Sequence, residues 1–178
     1  MGLSSISQFI PEKRIIEYML DDEVSEPLAN MTVRDFTELV GARTSAPGGG
    51  SVSALAASLG AGLGAMMGWM SYGSKKFEHL DSKMRKFIPP LHNAMKQLIS
   101  MIDADTNAFN DYMTAMRLPK NTEEEKKIRN LQMQEGLKKA VEVPLKVMRI
   151  ADGCWDSMKE MAKYGNLSSA SDLEVGAK

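Results

Sequence analysis

The sequence holds one cysteine, Cys154, in 178 residues. No disulfide within the chain can brace the fold, and a reducing, cytosolic setting is expected. The two histidines, His79 and His92, have no metal-ligand spacing to each other or to Cys154, so they read as surface or packing residues and no metal is expected. Neither sign of charge is in excess. The 22 Lys and Arg against 23 Asp and Glu speak against a general nucleic-acid or membrane-surface binder. No cleavable signal pattern opens the chain, and neither strand-like alternation nor an internal repeat is present.

One stretch lacks charge altogether. From Thr44 to Ser74 there is no charged residue, which is length enough to cross a bilayer. Its content is largely Ala, Gly and Ser, with Val52, Leu55, Leu59, Leu63 and Met66 spread among them. That composition favours a buried central helix over a membrane span. Fifteen methionines against few Val and Thr also tilt the chain towards helix.

What remains is a helical chain of domain size. Residues 1–31 read as a linker segment, with an acidic patch (Asp21, Asp22, Glu23, Glu26) and Pro27. Thr32 reads as an N-cap with Asp35 at N3, and Gly41 as the stop of a short helix. After "SAPGGGS" (45–51) a long small-residue helix is expected to about Tyr72. Another starts near Asp81, restarts or kinks at Pro89–Pro90 and runs to Leu118. Thr122 with Glu125 forms a capping box for a helix from about Glu123 towards Tyr164, kinked at Pro144. Ser171 with Glu174 forms a second capping box, opening a last helix. The expected class is an all-α, antiparallel helical bundle.

Four features invite chemistry. Gly60, Gly64 and Gly68 share one helical face, at a cost of about 1 kcal/mol each relative to alanine, so close approach by another helix is required. That helix belongs either to this chain or to a second copy. "PGGGS" (47–51) exposes backbone N–H groups at a helix start, which suits an anion or serves as a flexible turn with a Ser cap; the Gly-Lys-Ser/Thr ending of a nucleotide phosphate loop is absent. Lys75, Lys76, Lys83, Arg85 and Lys86 outnumber Glu78 and Asp81, which makes a solvated face or a hold for a polyanionic tail. The fourth feature is Asp105. At 100° per residue it falls on the apolar stripe of Leu91, Met95, Leu98, Ile102, Phe109, Tyr112 and Met116, whereas Asp103 points to the far side with Lys96 and Asn107. A half-buried carboxyl that loses hydration leans towards its neutral form and is able to donate a proton. The structural alternatives are pairing with a buried Arg or capping a neighbouring helix.

"SAPGGGS" (45–51), "DADTNAF" (103–109) and "GNLSSASDLEVGA" (165–177), in this order, resemble the cyclodeaminase domain of formiminotransferase-cyclodeaminases, a family that includes methenyltetrahydrofolate cyclohydrolases. "FIPEKRIIEY" and "MRLPKNTEEEKK" are similar to the vertebrate-type bifunctional enzyme. The resemblance implies an ammonia-lyase of histidine breakdown that cyclises 5-formiminotetrahydrofolate to 5,10-methenyltetrahydrofolate, with Asp105 as catalytic acid. The alternatives are a cyclohydrolase or an inactive folate-binding, oligomerising module.

By the same resemblance Gly49, Gly50, Ser51, Asp103, Asn166 and Asp172 become folate-site candidates, and Lys75 and Lys76 take the polyglutamate tail. No metal or redox cofactor is implied, only tetrahydrofolate as substrate carrier. A homodimer with its site near the interface is implied, as an octamer in the bifunctional enzyme, with cytosolic and Golgi-associated location. The formiminotransferase domain is absent from residues 1–178. The family also continues past "SDLEVGAK" into further helix, so the bundle is expected to lack its last helices and to show apolar surface near Trp155 and Met158.

Overall fold

Thr32 and Gly41 bracket the first helix as their chemistry dictates. Thr32 Oγ1 accepts the Asp35 N–H at 3.1 Å, and Gly41 closes α1, Val33–Val40. The computed structural model describes residues 26–178. The linker segment read at 1–31 and the "FIPEKRIIEY" similarity therefore lie largely or wholly outside the described residues. A loop with a cis Ala46–Pro47 peptide leads to α2, Gly49–Ser71. A 3₁₀ turn, Lys75–Leu80, follows, and then α3, Asp81–Met116, α4, Glu123–Asp152, and α5, Trp155–Tyr164. A second 3₁₀ turn, Leu167–Ser169, opens into α6, Ala170–Ala177. Among the described residues no strand occurs, and the architecture is an all-α bundle.

The core is built on α2, whose small residues let its neighbours come close. Ala54, Ala61, Ala65 and Met67 meet Met84, Ile88, Leu91, Leu98 and Ile102 of the antiparallel α3. Met158 and Met161 of α5 and Leu173 of α6 close the same cluster. A Cβ on Gly64 would stand 2.7 Å from Met158 Sδ, and one on Gly68 would stand 2.8 Å from Met161 Cε. At Gly60 it would meet a backbone oxygen, that of Gly176, at 2.6 Å. The glycine face is thus a crossing within this chain, and its side-chain-free surface is spent on α3, α5 and α6. By length and composition α2 is apolar enough to cross a membrane, with mean hydropathy 1.4 over its most apolar window; in this fold it is the central helix.

Three local expectations are corrected. Pro89 and Pro90 leave α3 unbroken, because the carbonyls they orphan, those of Arg85 and Lys86, belong to exposed residues where water can satisfy them. Pro144 likewise sits inside α4. The break comes instead at Gly153–Cys154, where the Cys154 N–H reaches back only to the Ala151 carbonyl at 3.0 Å. That tightened turn redirects the chain so that Met158 and Met161 enter the core. The Ser171–Glu174 capping box does not form; α6 starts earlier, from a turn in which Asn166 Oδ1 accepts the Ser168 N–H at 3.1 Å. The Thr122–Glu125 box forms as expected.

A groove of about 860 Å³ runs between α2, α4, α5 and α6. Leu59, Leu145, Met148, Trp155, Met158 and Val175 line it; Trp155 is exposed there as the sequence anticipated, whereas Met158 is buried in the core.

These contacts separate two glycines of one helix. Gly60→Ala should lose about 1–3 kcal/mol in chemical denaturation, because the Gly176 backbone has no flexible end to yield. Gly62→Ala, whose Cβ would meet only Met95 Sδ at 3.4 Å, should be neutral or gain up to about 1 kcal/mol of helix propensity.

Candidate functional site

The first turn of α2 has no side-chain cap, since its N-cap is Gly48. One of its orphan donors, the Ser51 N–H, is met from another helix. Asp105 of α3 lays its carboxylate against Gly50 and Ser51: Oδ2 accepts the Ser51 N–H at 2.9 Å and lies 3.2 Å from Ser51 Oγ. A Cβ on Gly50 would fall on the carboxyl group itself. Glycine is therefore required there by close approach. The anion expected at this helix start is supplied by the protein, and the macrodipole of α2 favours it. Asp105 caps α2, which is one of the two structural roles its sequence allowed. It remains half-buried, and among the described residues Oδ1 receives no hydrogen bond.

Ser51 is fully buried. Its Oγ lies 2.8 Å from the Ile102 carbonyl and 3.2 Å from Thr106 Oγ1. Thr106 was not among the candidates, although it follows Asp105 directly in sequence. Partnership across 55 positions leaves no mark on local periodicity, so only the adjacency could have drawn attention to it.

Asp103 is a correction. It is only 4% exposed, where the helical wheel had placed it on the far side with Lys96 and Asn107. Oδ1 accepts the Leu28 N–H at 2.9 Å and Oδ2 the Ala29 N–H at 3.0 Å. Residues i and i+2 lie about 200° apart on a helix, so the two aspartates do face opposite ways. The side that looked solvated is covered by the turn at 26–31, and Asp103 is fully engaged in fastening it.

The remaining candidates gather elsewhere. The Asn166 N–H donates to Ser71 Oγ at 2.9 Å, at the far end of α2, about 30 Å from Ser51 at 1.5 Å per residue. Asp172 belongs to α6, whose opening touches Met70 through Ser169, and Lys75 and Lys76 are exposed just beyond α2. The structure therefore unites Gly49, Gly50, Ser51 and Asp105 and sets Asn166, Asp172, Lys75 and Lys76 at the other end. At that end Lys83 Nζ stands 3.3 Å from the Tyr164 ring centre and Arg85 5.3 Å from that of Tyr72, so part of the basic run is stacked on aromatics. The large groove is not the carboxylate site: neither Asp105 nor Gly50 lines it. It holds Cys154, whose thiol is pushed up from its ordinary value by burial. Among the described residues no cluster of His, Cys, Asp and Glu could hold a metal ion.

An antiparallel helical bundle with a carboxylate from one helix seated on the glycine-built start of another defines a class of small α-helical domain. The comparisons narrow it. The family model described as Formiminotransferase-cyclodeaminase matches residues 32–178, and the chain belongs to that family. It is 57% identical over 180 residues to a formimidoyltransferase-cyclodeaminase of Dictyostelium discoideum and 52% identical over 179 to that of Gallus gallus, covering 100% of this chain and 33% of each. The chain thus spans about a third of the length of these curated relatives. A methenyltetrahydrofolate cyclohydrolase of Methylorubrum extorquens is 34% identical over 146 residues, covering 82% of this chain and 70% of its own. Among solved structures, a formiminotetrahydrofolate cyclodeaminase of Thermotoga maritima shares the fold with TM-score 0.70 at 24% identity, over 83% of this chain and 69% of that one.

Two substitutions probe the paired aspartates separately. Asp103→Asn removes a charged acceptor from two buried N–H groups and should cost about 1–3 kcal/mol in denaturant unfolding; full stability would show that the 26–31 turn needs no anchor. Gly50→Ala should displace the Asp105 carboxylate from α2, seen as a lower melting temperature and a shifted Asp105 side-chain carboxyl resonance.

Proposed function

We propose that this domain cyclises 5-formiminotetrahydrofolate to 5,10-methenyltetrahydrofolate with release of ammonia. One observation carries the chemistry: Asp105 is held rigidly by Oδ2 while Oδ1 is left unbonded among the described residues. In the reaction N10 of the folate bonds to the formimino carbon, and the bond from that carbon to the terminal nitrogen breaks. With the formimino group entering in its protonated form, Asp105 gives a further proton to the departing nitrogen so that it leaves as ammonia, and the proton released from N10 restores the acid. Positioned proton transfer of this kind contributes about 10²–10⁴-fold. The glycines at 49 and 50 keep side chains away from that oxygen, so a flat ring system has room to approach.

A cyclohydrolase is the second reading, supported by the Methylorubrum extorquens relative. The same acid would then serve attack of water on the methenyl carbon. In either reading the domain works within a homo-oligomer in the cytosol, Golgi-associated in the bifunctional form, joined to a formiminotransferase domain as the names of the longer relatives state.

The test is absorbance of methenyltetrahydrofolate formed from formiminotetrahydrofolate, with ammonia measured in parallel. Asp105→Asn should abolish turnover while the fold is kept, because an amide oxygen still accepts the Ser51 N–H but carries no transferable proton. Retained activity in that variant would leave Asp105 as a helix cap only. Consumption of methenyltetrahydrofolate without ammonia release would favour the cyclohydrolase.

A further inference from the structure

Counting hydrogens around Asp105 exposes a shortage. Ser51 Oγ has one hydrogen and three oxygen neighbours: the Ile102 carbonyl at 2.8 Å, Asp105 Oδ2 at 3.2 Å and Thr106 Oγ1 at 3.2 Å. A carbonyl and an ionised carboxylate only accept. When Asp105 is ionised, the Ser51 hydrogen is needed at Oδ2. When the carboxyl is neutral with its proton on Oδ1, Oδ2 is an uncharged carbonyl oxygen still met by the Ser51 N–H, and the serine hydrogen turns to the closer Ile102 carbonyl. Both arrangements are complete only if Thr106 donates to Ser51 Oγ. The Ile102 carbonyl tolerates the exchange because it also accepts the Thr106 N–H within α3. No other polar chemistry competes: α2 carries no charged side chain, Asp105 makes no ion pair among the described residues, and Asp103 faces the opposite side of α3.

We propose that Ser51 and Thr106 are positioning residues for Asp105, a two-hydroxyl relay whose mobile serine hydrogen follows the charge of the carboxyl group. Ser51, at 0% exposure, acts on the acid and does not touch the folate. Thr106 keeps the serine oriented in both protonation states, so each cycle of proton donation and recovery needs one hydroxyl to turn and no side chain to move. The kinetic consequence rests on the reading of Asp105 as the acid; the hydrogen relay itself does not.

The experiment has two arms on the full chain. In the first, the Asp105 side-chain carboxyl carbon is titrated by NMR. Ser51→Ala and Thr106→Val remove or weaken a donor to the ionised form, so the midpoint should rise, by up to about one pH unit. Thr106→Ser, which keeps the hydroxyl, should restore it. In the second arm, Thr106→Val should lower kcat by about 5- to 10-fold with KM little changed, Thr106→Ser should recover it, and Ser51→Ala combined with Thr106→Val should lose no more than Ser51→Ala alone. An unmoved midpoint in both variants overturns the relay, as does a rise in KM at constant kcat, which would put the hydroxyls on the substrate. If midpoints shift as expected while Asp105→Asn keeps its turnover, the relay stands and the assignment of the acid falls.

Discussion

The structure depends on how little side chain α2 carries where other helices cross it. Three helices meet this one: α3 at Gly64 and Gly68 through Leu91 and Ile88, α5 through its methionines, and α6 at Gly60 by its backbone. Each glycine gives up helix propensity, and the return is contact between large apolar side chains and bare backbone, as at Ile88, Leu91, Met158 and Met161. Methionine suits such gaps because its unbranched chain fills irregular space. A bundle held this way tolerates a Cβ at Gly62, where a flexible Met95 tip is the neighbour, and resists one at Gly60, where a backbone oxygen is.

The same constraint reaches the chemistry. Position 50, in the first turn of α2, is glycine because the Asp105 carboxyl occupies the volume a side chain would take there. A helix start without its own cap is thereby coupled to an acid from another helix, and structure and chemistry share one contact. The D-x-D spacing gives α3 two aspartates on opposite sides. Asp103 meets two backbone N–H groups with both oxygens, whereas Asp105 commits only one oxygen. That difference in satisfaction sets Asp103 apart as an anchor and leaves Asp105, among the described residues, with a free oxygen.

Much of this was legible in the residues and some was not. The caps at Thr32 and Thr122 are local chemistry, and they formed as written because their partners lie within four positions. The long uncharged helix and its glycine face were also readable, since periodicity survives in sequence. The helix that meets the face was open, because nothing in sequence distinguishes a neighbour from a second copy. Pro89 and Pro90 do not restart the helix, and the carbonyls they leave without a donor belong to the exposed Arg85 and Lys86. Asp103 faces away from Asp105 as its spacing dictates, yet its burial was not readable. A helical wheel describes one helix, and the turn that buries this aspartate comes from 74 and 75 positions earlier.

The motif at 165–177 is explained by architecture before chemistry. Gly165 has no room for a Cβ, which would stand 2.6 Å from the Met161 carbonyl. Asn166 spends its side-chain oxygen on Ser168 and its N–H on Ser71, which fastens the start of α6 to the end of α2. Gly176 then lies on Gly60 at the other end of α6. The chain therefore docks α6 along α2 by polar contacts at Ser71 and Met70 and a backbone contact at Gly60, with Leu173 buried between them. A shared motif can record such a docking as faithfully as it records a catalytic group. Gly50 and Asp105 record such a docking too, because the carboxylate that meets the Ser51 N–H closes the open end of α2 and fills the space a side chain at position 50 would take.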